Sequence, residues 1–255
     1  MPASCLTLSA LHRGVVLALT LTASVTSYAA GWTAGSPPSS APTTFLDTKT
    51  GNIEGFMPDV AHEVAKREKL DITFTAVPFS TLIQSVIAGK IDMIVAGMTP
   101  TPERAKRITF SQEVTAFGAG LMVRDDNKKT YHSWQDLKGE VVGSMAGTDY
   151  SQNLIKSGIA KEVKLYDSPA DMTRDLSLGR VAAAMNDYPI IKAQEKSGGL
   201  KGMHVVDGYK PETVSPMAFG VKKGNDALMA KINAALTGMK EDGTLQTLKT
   251  KWNMP

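Results

Sequence analysis

A two-lobed α/β fold is what this 255-residue sequence predicts, and three observations carry the prediction. Short apolar runs of strand character alternate with helix-period segments almost from end to end. The segments LIQSVIAGKIDMIVAG (82–97) and MTRDLSLGRVAAAMND (172–187) share one plan: a helix, a glycine, a basic residue, a β-branched residue, and an apolar strand leading into polar residues. Two extended pieces, 115–123 and 217–221, are placed to cross between the lobes. The expected division is 31–117 with 218–255 as one lobe and 118–217 as the other. The length allows one large domain or two of ordinary size, and a hydrophobic content of 42% supports a real core.

Residues 1–30 differ in kind from the rest. His12 and Arg13 precede an apolar run from Val15 to Val25, and the small residues Ser27, Ala29 and Ala30 follow. That pattern is a secretory signal, and the run is shorter than the roughly 20 residues that span a bilayer. The expected location is therefore periplasmic. Cys5 leaves with the signal, so the mature chain has no disulfide, thiol nucleophile or cysteine metal site. Without Arg13 the balance is 27 basic against 25 acidic residues, or +2, with no basic stripe to bind nucleic acid.

Each element then has a local reason. Trp32–Ala34 reads as a first strand, followed by a loop rich in Gly, Pro and Ser and a turn at Thr50-Gly51-Asn52. Pro58 suits the first position of a helix running to about Lys69. Asp71–Val77 alternates as a strand, and Ser80 is placed to cap a helix that Gly89 ends. Ile91–Val95 is a short strand running into Gly97-Met98-Thr99. Ser133 caps a short helix to Lys138, Val141–Ser144 is a strand, and Thr148 opens a helix to about Lys156. A strand at Val163–Tyr166 leads to Ser168-Pro169, the start of a helix that stops at Gly179. Val181–Met185 is a strand that ends in Asn186-Asp187-Tyr188-Pro189. Ala227–Met239 and Thr244–Lys251 close the chain as helices.

The candidate site gathers at strand ends, where open α/β sheets bind small ligands. Arg104 offers a planar fork of donors that fits a carboxylate, and Thr99 adds a hydroxyl. An arginine after Thr-Pro-Glu is also an ordinary surface residue. Asp187 can pair with an ammonium group or serve as a cap or turn residue. Gly147-Thr148 can hold an anion on backbone N–H groups, and Thr148 can equally cap its own helix. Phe79 can stack on a ligand or staple the helix that follows it.

Other chemistries find little support. The stretch from Gly143 to Thr148 lacks the frame and lysine of a phosphate loop, and Gly118-Ala119-Gly120 lacks a third glycine. The histidines at 12, 62, 132 and 204 form no metal-ligand spacing, and no Gly-x-Ser-x-Gly stretch suggests a hydrolase. No cofactor, metal or catalytic residue is expected.

The segments GFMPDVAHEVAK, PFSTLIQSVIAGKIDMIVAGMTPTPERAKRITFS, DLKGEVVGSMAGT, LGRVAAAMNDYP and DGTLQTLKTKW resemble the extracytoplasmic solute-binding proteins, family 3, of polar amino-acid ABC transporters. The resemblance runs from about Phe45 to Trp252. It implies a periplasmic-binding-protein-like type II architecture, two α/β lobes joined by two crossing strands. It also implies that Arg104 and Thr148 hold a ligand α-carboxylate, that Thr99, the carbonyl of Gly97 and Asp187 hold its α-ammonium, and that Phe79 lies beside its side chain. Two positions depart from the family pattern: Ser40-Ala41-Pro42-Thr43 stands where relatives commonly have an aromatic, and Pro37 where basic amino-acid binders place an acid.

The expected function is capture of a small zwitterion, an amino acid or derivative, and its delivery to a membrane permease, with a monomer as the default state. The competing reading is a cyclohexadienyl (prephenate or arogenate) dehydratase-like lyase on the same scaffold, which requires a general acid in the cleft.

Overall fold

The computed structural model describes Met1 and residues 31–255. The expected signal, with Cys5, His12 and Arg13, lies outside the described residues.

The chain forms β1 (Trp32–Ser36), a small three-stranded sheet of β2 (Ser39–Ser40), β3 (Thr44–Leu46) and β4 (Ile53–Glu54), then α1 (Phe56–Arg67) and β5 (Ile72–Ala76). It continues through α2 (Leu82–Ile87), β6 (Met93–Met98), α3 (Pro102–Ala105), β7 (Ile108–Phe110), β8 (Thr115–Phe117) and β9 (Ala119–Arg124). A second run of β10 (Val141–Met145), α4 (Asp149–Ser157), β11 (Glu162–Tyr166), α5 (Pro169–Ser177), β12 (Ala183–Asp187), α6 (Tyr188–Lys196) and β13 (Met203–Val205) follows. The chain then returns through β14 (Ser215–Lys222) to α7 (Asp226–Glu241) and α8 (Thr244–Trp252).

Two main sheets result. One has the order β5-β1-β6-β14-β7, and the other β11-β10-β12-β9-β13. The internal echo now has a cause. In each sheet a βαβαβ unit lays its first strand between its second and third, with parallel pairing throughout. Gly89 and Gly179 stand at the same place in the two units, just before β6 and β12.

Strands covered on both faces read as nearly continuous apolar runs. The β6 strand is of this kind, with Met93 and Val95 in one core cluster and Ile94 and Ala96 in another. In the second sheet Met122 and Ala184 pack on one face, and Leu121, Val123, Ala183 and Met185 on the other. Helix α7 adds Ile232, Leu236 and Met239 to the first core, and the Arg67 guanidinium ties α1 to the turn before α8 by donating to Asp242 and Thr244.

The passages between the sheets are β8 running into β9 and the start of β14. They pair antiparallel with each other, Thr115 opposite Met217 and Phe117 opposite Ser215, while the rest of β14 pairs with β6 and β7. The architecture is thus two α/β lobes joined by two crossing strands. Gly118 sits between β8 and β9, where an added Cβ would lie 2.5 Å from Pro211 Cγ and 2.8 Å from the Thr213 carbonyl oxygen. A side chain there would force the crossings apart.

Several local expectations need correction. Helix α1 begins at Phe56, so Pro58 is its third residue. Ser80 does not cap α2; the cap position is Thr81, without a side-chain bond, and the Ser80 hydroxyl donates to Asp167 Oδ1 at 2.9 Å. Ser133 does cap, and its own N–H donates in return to the Asp136 carboxylate, but the turn it opens at Trp134–Leu137 is a 3-10 helix. Helix α6 and strand β13 had no counterpart in the sequence reading. Asp187, expected as an ammonium partner or as a cap or turn residue, stands at the N-cap of α6 without a side-chain bond, and Pro189 occupies the first turn, where its missing N–H costs nothing.

Candidate functional site

Strand β6 carries Gly97 within it and delivers Thr99 just past its end. Thr101 then caps α3 by accepting from the Arg104 N–H, and Pro102 occupies the first turn. This short capped helix sets the direction of Arg104, which is buried at 9% exposure. Its Nη1 donates to the Thr99 carbonyl oxygen at 2.7 Å, and its Nη2 donates to the Gly147 carbonyl oxygen at 2.7 Å. The second bond crosses from one lobe to the other. Two of the five guanidinium N–H donors are so employed, which leaves three for another acceptor.

From the second lobe, β12 ends at Asp187 and β10 leads to Gly147, Thr148 and α4. Arg104, Asp187, Thr99, Gly97, Thr148 and Phe79 line one cavity of about 30 Å³, together with Ser40, Met145, Asp149, Tyr150, Asn186, Ile190 and Met217. Gly147 is not part of that lining and enters through its carbonyl alone. A second cavity of about 20 Å³ adjoins it and shares Thr99, Asp149, Tyr150, Asp187 and Met217.

The electrostatics follow from burial. Loss of water pulls the Arg104 guanidinium below its ordinary value, while the carboxylates of Asp149 and Asp187 pull it back up. Asp187 is pushed up to about 7 by burial and by the charge of Asp149, against the opposing pull of Tyr150 and Arg104. Burial also raises the Tyr150 phenol, with Asp187 adding to it. Its OH donates to Asn186 Oδ1 at 3.3 Å.

Some roles differ from the expected ones. The Thr148 hydroxyl donates to the Met145 carbonyl oxygen and accepts from the Ser151 N–H, so it does cap its helix while also facing the cavity. Gly147 accepts through its carbonyl, and its φ of +78° places an absent Cβ 3.0 Å from Ser80 Cα, a contact across the cleft. Phe79 packs against the core beside α2, and its ring also lies under Arg104, with the guanidinium carbon 5.8 Å from the ring centre. Ser40, where the resemblance led to an aromatic being expected, lines the cavity.

Three polar residues lining the first cavity are not among those expected from the sequence: Asp149, Tyr150 and Asn186. The first two follow the Gly147-Thr148 turn directly, and the Asp187 motif contains the third. Their neighbours were therefore the available signal. Among the described residues no group of three His, Cys, Asp or Glu could hold a metal ion, and no helix is long and apolar enough to cross a membrane.

The family model of the bacterial extracellular solute-binding proteins, family 3, matches residues 33–255. Among curated proteins, the ABC transporter arginine-binding protein 1 of Escherichia coli K12 is 29% identical over 201 residues, 78% of this chain and 82% of that one. The ABC transporter glutamine-binding protein GlnH of Bacillus subtilis 168 is 33% identical over 210 residues, 80% of this chain and 74% of that one. Among solved structures, an ancestral arginine-binding protein bound to arginine superposes with a TM-score of 0.80 at 33% identity, over 87% of this chain and 97% of that one.

Proposed function

Because this chain belongs to the bacterial extracellular solute-binding proteins, family 3, we propose that it captures an amino acid or a similar zwitterion between its lobes and delivers it to the permease of an ABC importer. One observation carries the reading: Arg104 and Asp187 reach the same cavity from different lobes. The free guanidinium donors take the α-carboxylate, with Thr148 beside them. Asp187 takes the α-ammonium, with the Gly97 carbonyl and Thr99 as further partners, and Phe79 covers the ligand. Closure removes water from these pairs and strengthens them, so binding drives the lobes together. The lobe limits near 117/118 and 217/218 belong to the same reading, supported by the pairing of β8 with β14. So do the secretory signal at 1–30, a periplasmic location and a monomeric state.

Binding without catalysis is part of this proposal. The curated relatives described above bear the names of binding proteins. Turnover of prephenate or arogenate by the purified protein would overturn it in favour of a lyase. The direct test is calorimetric titration with L-arginine, L-lysine and L-glutamine. A ligand that binds only the folded state at about a hundred times its Kd stabilises the protein by about 2.7 kcal/mol, which a melting curve reads directly. No heat of binding and no melting shift with any amino acid would count against the proposal.

The raised Asp187 carboxyl adds a pH signature. Pairing with an ammonium requires the ionised form, so ligand affinity is expected to weaken as pH falls below about 7, approaching tenfold per pH unit once the free protein is fully protonated there. Near neutrality, binding also releases a proton. Without ligand the sign reverses: the folded protein holds this proton between about pH 4 and 7 while the unfolded chain does not, so this group's contribution to stability falls as pH rises through that window. Calorimetry in buffers of different ionisation heat measures the release. An affinity and proton count unchanged from acid to neutral pH would remove Asp187 as the ammonium partner.

A further inference from the structure

We propose that Asp149 makes the cleft selective for ligands that carry a second positive centre beyond the α-ammonium, as diamino and guanidino acids do. The inference rests on the zwitterion reading above and narrows its substrate class. The two adjoining cavities meet at Asp149, which lines both. Arg104 is the one cationic side chain among their linings, against the carboxylates of Asp149 and Asp187, with Glu212 exposed at the edge of the second cavity. None of these carboxylates takes part in an ion pair among the described residues.

A plain zwitterion adds one charge of each sign and leaves that excess of negative charge in place. A ligand with a second cation reduces it. The excess matters most when the cleft shuts, because water no longer screens it. Beyond Asp149 the second cavity is walled by Trp134, Tyr150 and Tyr209, whose ring faces attract a cation. An independent sign that polar ligand groups belong here is Asn186. Its side chain is 2% exposed and lines the first cavity, and its Nδ2 has no hydrogen-bond partner within the protein. A buried donor left unpaired is costly, and a ligand oxygen would satisfy it.

Asp149 is also the first residue of α4, where a carboxylate favours the helix dipole. The test must separate the two roles. Binding of L-arginine, L-lysine and L-glutamine is measured by calorimetry for the natural protein, Asp149→Asn and Asp149→Glu, with melting curves for each. The natural protein is expected to bind arginine or lysine about fivefold or more tightly than glutamine, the scale of one partly exposed ion pair. Asp149→Asn is expected to bring arginine and lysine to within about twofold of glutamine in affinity, and Asp149→Glu to retain the margin.

A natural protein that binds glutamine as tightly as the cationic acids overturns the inference, whether or not the variants fold. Equal weakening of all three ligands by Asp149→Asn overturns it too, in favour of a helix-stabilising role. If Arg104→Ala leaves arginine and glutamine binding intact, the carboxylate clamp itself fails. If that variant loses binding and Asp149→Asn changes nothing, the clamp stands and only the selectivity falls.

Discussion

Arg104→Ala is expected to weaken amino-acid binding by at least about thirtyfold. Removing one partner of a buried, hydrogen-bonded charge pair costs about 2–5 kcal/mol, and each 1.4 kcal/mol or so is tenfold in affinity. The ligand carboxylate would enter the closed cleft without its cation. The same side chain also spans the cleft to the Gly147 carbonyl, so the variant loses a bond that holds the lobes together. Arg104→Lys is expected to recover little, because an ammonium cannot serve the Thr99 and Gly147 carbonyls and a ligand carboxylate with one planar fork. Calorimetry measures the affinities, and ligand-free melting curves report on the fold. Unchanged affinity in Arg104→Ala would remove the clamp.

Gly147→Val is expected to be the second most damaging change to binding, at about tenfold or more. Its cause is separate from charge. The residue has a φ of +78°, a region that suits β-branched side chains poorly, and the new Cβ would lie 3.0 Å from Ser80 Cα on the opposite lobe. Overpacking of this kind typically costs about 1–3 kcal/mol. The contact with Ser80 exists only when the lobes meet, so that part of the cost falls on the closed form. The backbone strain falls on both forms and lowers the melting temperature whether or not ligand is present. A variant with a lower melting temperature but natural affinity would show that Ser80 and Gly147 do not limit closure. Small-angle scattering provides a second readout, since ligand should compact the natural protein more than the variant.

Both predictions involve residues legible in the sequence, yet for different reasons. Arg104 stood out because a strand end, a hydroxyl and a guanidinium follow one another within a few residues. Local spacing was enough to mark them as neighbours. Gly147 also stood out, as an anion-binding turn, but its contacts with Arg104 and Ser80 join positions far apart in the chain. Ser80 was misread for the same reason: its position suits a helix cap, and the approach of Asp167 from the other lobe gives its hydroxyl a different partner. Local propensity describes what a side chain can do when left alone, and tertiary contact decides among the options.

Helix α6 was missed because Asn-Asp-Tyr-Pro carries turn signals as strong as its helix signals. Burial of Ile191 against the second sheet settles the matter, and that burial depends on strands distant in sequence. Asp149, Tyr150 and Asn186 were overlooked as site residues because each has an ordinary local explanation. What singles them out is the meeting of the α4 start with the end of β12, which no spacing along the chain reveals.

By itself the sequence determined the alternation of strands and helices, the repeated unit in each lobe and the residues proposed to grip a zwitterion. These follow from periodicity, capping chemistry and side-chain charge, all of which act over a few neighbouring residues. Only the tertiary structure decided that Arg104 spans the cleft, that burial pushes the Asp187 carboxyl up and that Asp149 faces the same space. Those properties arise from exclusion of water and from Coulomb forces between elements distant in the chain, and neither exists until the chain has folded.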